Sequence, residues 1–121
     1  MLRWKIFAAG VPSLLSTAIS GDVAAGLTAT GTTQSDAYEV TCDQNSFSTV
    51  GSGTGAKLSS DAAGGDSQLI YNGGANPLKV YPPSGAQINA LGANNYCLLQ
   101  IRTACRFECL SATLWTGILS A

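Results

Sequence analysis

The chain reads as an all-β protein, an antiparallel β-sandwich of jelly-roll-like form, with an extended N-terminal arm over 1–25 and the sandwich over 26–121. Three observations predict it. Beyond Gly21, short alternations of apolar and polar residues recur with their centres roughly ten residues apart, the spacing of sandwiches and barrels. Turn-forming residues separate them, and 14 glycines and 4 prolines in 121 residues supply many of those turns. No segment carries the 3.6-residue apolar period of a long amphipathic helix, and no internal repeat is convincing. About eight or nine strands in a domain of this size fit two packed sheets.

The elements follow in order. Gly26 to Thr33 alternates with threonine at every other place and reads as the first strand. Tyr38 to Cys42 and Phe47 to Val50 come next, joined by Asp43-Gln44-Asn45-Ser46 as a hairpin loop. Ala56 to Leu58 is brief, and Asp61 to Asp66, with Ala62-Ala63-Gly64-Gly65 inside it, is a loop. Gln68 to Tyr71 is a strand, and Asn72-Gly73-Gly74 supplies residues that tolerate positive φ. Asn76-Pro77 opens the strand Leu78 to Tyr81, in which Leu78 and Val80 share one face and Lys79 and Tyr81 the other. Pro82-Pro83 ends that ladder. Cys97 to Ile101, Ala104 to Leu110 and Thr113 to Ile118 complete the set. The expected core is Leu27, Tyr38, Val40, Cys42, Phe47, Leu69, Tyr71, Leu78, Val80, Ile88, Leu99, Ile101, Phe107, Cys109 and Trp115. One of Leu98 and Leu99, and one of Leu114 and Trp115, must face away from it; clustered together, such side chains would mark an interface.

The composition excludes much chemistry. Histidine is absent, so no Ser-His-Asp or Cys-His arrangement can be built, and the commonest metal ligand is missing. The carboxylates Asp22, Asp36, Glu39, Asp43, Asp61, Asp66 and Glu108 are scattered, mostly in turn-like contexts. Glycoside hydrolysis needs two of them opposed in a cleft; Glu39 and Glu108 fall in strands, but solvated carboxylates are the expected reading. Gly51-Ser52-Gly53-Thr54-Gly55-Ala56-Lys57 lacks the Gly-Lys-Ser/Thr ending of a phosphate-binding loop, and no helix-forming run follows it. No catalytic, cofactor-binding or metal residue is assigned.

Cys42, Cys97, Cys105 and Cys109 contain no Cys-x-x-Cys pair, and a zinc site would need all four to converge. On a strand, Cys105 and Cys109 share a face with Phe107 and sit about 13 Å apart, too far for a mutual disulfide. Small buried hydrophobes are the expected reading, with a disulfide through Cys42 or Cys97 as the alternative.

With 6 basic and 7 acidic residues, a net charge of −1 and no basic cluster, nothing drives binding to nucleic acid. Only 11% of residues are charged, which leaves a surface covered by small polar residues or buried against partners, and partner burial is favoured.

The run Asn72-Gly73-Gly74-Ala75-Asn76-Pro77-Leu78-Lys79-Val80-Tyr81-Pro82-Pro83-Ser84-Gly85-Ala86-Gln87-Ile88-Asn89, followed by Ser111-Ala112-Thr113-Leu114-Trp115, resembles a module of small virion proteins of tailed bacteriophages. In that family the matching region corresponds to about Gly26 onward. The resemblance implies a non-enzymatic structural role: a decoration or cement protein on the capsid exterior, assembled in the host cytoplasm, bridging major capsid protein subunits. That reducing compartment would also keep the thiols reduced. A receptor-binding module of a tail, neck or fibre is the alternative, and a secreted lectin-like protein a weaker one.

Met1-Leu2-Arg3-Trp4-Lys5 is basic, Ile6 to Ile19 is largely apolar, and Ala18-Ile19-Ser20 before Gly21 has the look of a signal-peptidase site. The apolar run is short and broken by Gly10, Pro12, Ser13, Ser16 and Thr17, so it does not read as a membrane span. A retained arm packed on neighbouring subunits is the expectation, because apolar chain ends need something to tie them down. Its interface candidates are Leu2, Trp4, Ile6, Phe7, Leu14 and Leu15. Gly26 to Thr33 carries neither charge nor proline, which adds Leu27, Thr28 and Thr30 as an edge open to another copy. A homotrimer is expected, with a dimer as runner-up.

Overall fold

The computed structural model describes residues 22–119, which form ten strands and no helix. They are β1 (Val23–Thr28), β2 (Tyr38–Glu39), β3 (Gln44–Thr49), β4 (Gly55–Lys57), β5 (Ser67–Asn72), β6 (Leu78–Tyr81), β7 (Gln87–Ile88), β8 (Cys97–Leu99), β9 (Thr103–Ser111) and β10 (Leu114–Leu119). One sheet has the order β1-β3-β5-β9-β10-β7, the other β2-β4-β6-β8.

This is not the antiparallel jelly roll that the sequence suggests. From β1 to β6 the chain alternates between the two sheets, and within each sheet the neighbours run parallel: β1 with β3, β3 with β5, β2 with β4, β4 with β6. Parallel neighbours cannot be joined by a tight hairpin and need a long return. Here each return passes through the opposite sheet, so the chain winds as a flattened coil in the manner of a β-solenoid. Val23 lies opposite Gln44 and Gln44 opposite Leu69, so one winding takes roughly 20–25 residues, within the range of solenoid repeats. The second half changes mode. β8 pairs antiparallel to β6, β9 antiparallel to β5, and β10 antiparallel to β9, with β7 parallel to β10. These strands close one end of the coil, as terminal caps do in repeat folds.

The expected hairpin through Asp43-Gln44-Asn45-Ser46 does not exist. Gln44 already begins β3, and β2 and β3 belong to different sheets. The turn residues there make a corner between sheets instead. Asp22 stitches that corner, its carbonyl accepting from Gln44 N at 3.0 Å and its Oδ1 from Asp43 N at 3.0 Å.

The core lies between the sheets. Phe47, Ile70, Phe107, Cys109 and Trp115 come from the first sheet, and Ala56, Leu78, Val80 and Leu99 from the second. Val40, Leu58 and Ile88 are buried with them, and Tyr38 meets Phe47 edge to face at 5.9 Å. Each large side chain removed from water contributes about 1.5–3 kcal/mol. Leu27 and Tyr38 pack on this core half-buried.

Four expected core residues stand outside the buried cluster: Cys42 and Leu69 are only half-buried, and Tyr71 and Ile101 are 38% and 45% exposed. On β5 the facing is the reverse of the expected one. Gln68, Ile70 and Asn72 point inward, while Leu69 and Tyr71 do not. The reason is hydrogen bonding. Gln68 Nε2 donates to the carbonyls of Val40 (3.1 Å) and Cys42 (3.2 Å), and its Oε1 accepts from Ser59 N (2.9 Å). Asn72 Nδ2 donates to the carbonyls of Asn76 (2.9 Å) and Leu99 (3.0 Å), and its Oδ1 accepts from Gly74 N (3.0 Å). Asn45 Nδ2 donates to the carbonyls of Cys42 (2.8 Å) and Leu69 (3.2 Å). A coil turning between sheets leaves corner carbonyls that no strand can reach, and a buried carbonyl without a donor is costly. Interior amides supply the donors.

Candidate functional surfaces

The expected interface residues separate into two groups. Leu2, Trp4, Ile6, Phe7, Leu14 and Leu15 lie outside the described residues. Of the others, Leu27 leans onto the core, Thr28 is exposed, and Thr30 is exposed and paired through its backbone with Gly55. The Thr30 hydroxyl donates to the Asp36 carbonyl at 3.1 Å, so it serves its own turn. β1 is an edge strand of the six-stranded sheet, and β2 is an edge of the other. Each sheet thus has one edge strand in the first winding of the coil, with β7 and β8 at the opposite edges. β1 is not flat: its register against β3 slips on both sides of Leu27, and Gly26 has φ +69°. Such a bulge twists an edge and weakens edge-to-edge pairing. Lys79 lies within β6 and Pro82-Pro83 follows it, and β6 is covered by β4 and β8 on either side.

The turn from Thr30 to Asp36 is tied by one carboxylate. Asp36 Oδ1 accepts from Thr33 N and Thr33 Oγ1 at 2.8 Å each and from Thr32 N at 3.1 Å. Those donors, Thr33 first, hold the Asp36 carboxyl below the ordinary carboxylate range.

Glu39 and Glu108, the two carboxylates expected in strands, lie on different sheets. Glu39 sits on β2 with Lys57 Nζ at 3.7 Å and accepts from Ser60 N and Oγ, while Glu108 sits on β9 in the other sheet. The glycine-rich run Gly51–Lys57 forms a turn and β4. Gly55 is buried where a Cβ would lie 2.9 Å from the Tyr81 ring, so its glycine is explained by close packing.

All four cysteines are thiols. Cys105 and Cys109 are buried on the same face of β9 as Phe107, as strand parity requires, and Arg106 is exposed on the other. Burial, and then the neighbouring Cys105, push the Cys97 thiol up to about 12. A thiol with that pKa stays protonated and is a poor nucleophile at neutral pH. Among the described residues no group of three or more acidic or Cys side chains could hold a metal ion.

Two surface features were not singled out in the sequence. One is a cleft of about 230 Å³ at a corner between the sheets, lined by Thr41, Asp43, Ser59, Asp61, Asp66 and Ser67, with Ala62 and Gln68. Three of its side chains are engaged: Asp66 Oδ2 accepts from Ala63 N, Ser59 Oγ accepts from Asp61 N, and Gln68 serves backbone groups at both ends of its amide. The other is on the four-stranded sheet. Tyr81 and Tyr96 pack edge to face at 5.4 Å, and Lys79 Nζ lies 5.0 Å from the Tyr96 ring centre. Tyr96 and Leu98 are both more than two-fifths exposed beside them. The adjacency of Leu98 and Leu99 signalled part of this patch, since Leu99 is the one buried.

No family model, curated protein or solved structure matches the chain.

Proposed function

We propose that this protein is a non-enzymatic structural component of a tailed-phage virion that decorates the capsid exterior and strengthens it by bridging major capsid protein subunits. The observation that carries this reading is where the residues of the phage-like run are spent. Asn72, Gly74, Asn76, Leu78, Val80 and Ile88 build the corner, core and strands of the coil, and Asn76 Nδ2 itself donates to the Val50 carbonyl at 2.9 Å. The run that carries the resemblance is thus scaffold, which suits a protein whose work is to be a stable surface. Decoration acts by mass action: a protein that binds only the assembled lattice stabilises that lattice. Contact is assigned to the first winding, which supplies one edge strand of each sheet, β1 and β2, and to which the N-terminal segment is joined.

The test is co-sedimentation of the purified full chain with capsids of the phage that encodes it, prepared without this protein. Saturable occupancy in a fixed ratio to major capsid protein, with a higher temperature of capsid disruption, is the expected result. Binding to host cells instead of capsids would replace the reading with the receptor-binding alternative.

A further inference from the structure

Asn72-Gly73 is the one place in the chain where glycine follows asparagine. Such a pair is chemically labile, because without a Cβ the following residue lets its backbone nitrogen swing onto the asparagine side chain. In the reaction Gly73 N loses its proton and bonds to Asn72 Cγ, the Cγ–Nδ2 bond breaks, and ammonia leaves. Water then opens the succinimide at either carbonyl, giving aspartate or isoaspartate. Neither glycine can be traded away cheaply. A Cβ at Gly73 would lie 3.0 Å from the Phe47 carbonyl oxygen and the Tyr71 ring, and one at Gly74 2.7 Å from Val50 N.

We propose that Asn72 is a deamidation site closed by folding, so that modification of this residue records unfolding and makes it irreversible. Both reacting groups are held in the native state. Asn72 is fully buried, its Nδ2 donates to two carbonyls, and its Oδ1 accepts from Gly74 N. The nucleophile is occupied as well, since Gly73 N donates to the Phe47 carbonyl at 2.8 Å. Attack requires all four hydrogen bonds to break and the turn to rotate. Once converted, the side chain cannot return. A carboxylate at position 72 would face the Asn76 and Leu99 carbonyl oxygens with no donor to offer them, in a site closed to water. The isoaspartyl form would also add a backbone atom in the middle of the pairing with Thr103. Folded subunits are therefore protected, and a subunit left unfolded loses its route back.

The experiment uses wild-type full chain held in mildly alkaline buffer, one sample native and one in denaturant, with peptide mapping over time. Conversion at Asn72, a gain of one mass unit with loss of ammonia, is expected to be at least ~10-fold slower in the native sample. There the exposed Asn94 and Asn95 should convert before Asn72. On removal of denaturant, the unconverted fraction should refold and the converted fraction should not. Equal rates in the two samples, or recovery of a native, cooperatively melting protein by the converted fraction, would overturn the proposal.

Discussion

The two halves of the molecule are held together by different physics. From β1 to β6 the strands are short and parallel, and the windings are secured at their corners by Asn45, Gln68 and Asn72, the buried polar side chains of the described residues. Between β9 and β10 the chain forms a longer antiparallel pair in which Phe107, Cys109 and Trp115 fill the interior and, among the described residues, neither strand contributes a buried polar side chain. A coil must satisfy backbone groups where it turns between sheets; an antiparallel ladder satisfies them along its length and turns in solvent. Polar substitutions should therefore be felt most in the first half, and apolar trimming in the second.

The largest effect is expected at Asn72. Asn72→Leu keeps the number of side-chain heavy atoms but leaves the Asn76 and Leu99 carbonyls and the Gly74 N–H without partners, a loss of about 3 kcal/mol or more in urea unfolding. Gln68→Leu should cost about 2–3 kcal/mol for the same reason at the preceding corner. If either variant is as stable as wild type, the corners are not held by amides and the contrast between the halves fails. Gly74→Ala should cost about 1–3 kcal/mol, because the new methyl would meet Val50 backbone that cannot swing aside. In the antiparallel half, Cys105→Ala and Cys109→Ala should each cost roughly 1 kcal/mol as lost packing and leave the proposed capsid binding unchanged.

Alkaline pH sharpens the second half of the contrast. The unfolded Cys97 thiol loses its proton near 9.0, whereas the folded one holds it to about 12. Between those values the folded state binds more protons, so this contribution is complete below 9.0 and is lost as pH rises toward about 12. Cys97→Ala should flatten the fall in melting temperature over that window. At acid pH the sign reverses for Asp36, whose lowered pKa stabilises its turn above the ordinary carboxylate value of 3.8 and ceases to do so as pH drops below it. Because Asp36 is solvent-exposed, this is the smallest effect, visible as faster amide exchange of Thr32 and Thr33.

The sequence was most legible where the chain behaves as an ordinary half-buried strand. In Ala104 to Leu110 alternation placed Cys105, Phe107 and Cys109 inside and Arg106 outside, and the structure agrees. It misled on β5, where Gln68-Leu69-Ile70-Tyr71-Asn72 offers two readings of equal period. Polarity chose Leu69 and Tyr71 for the core, and the corner carbonyls required Gln68 and Asn72 there instead. A buried amide looks like a surface residue until its acceptors are known. The coil itself was hidden because its windings differ in length and share no residue pattern: Val23, Gln44 and Leu69 occupy equivalent places and have little in common. Asp43 to Ser46 carried a good hairpin signal, yet turn chemistry specifies a bend and does not say which sheet the chain enters next. The acidic cleft was invisible for the same reason, since Asp43 and Asp61 meet only when consecutive windings stack.

The claim that interior amides hold the corners of the coil, with Asn72 of the run Asn72 to Asn89 among them, is tested most directly by side-chain amide hydrogen exchange followed by NMR. The Nδ2 protons of Asn72 and the Nε2 protons of Gln68 should exchange as slowly as the backbone amides of β5 and β9, while those of the exposed Asn94 exchange at once. Rapid exchange at Asn72 and Gln68 in the native protein would contradict it, because those side chains would then be open to solvent and available to a ligand.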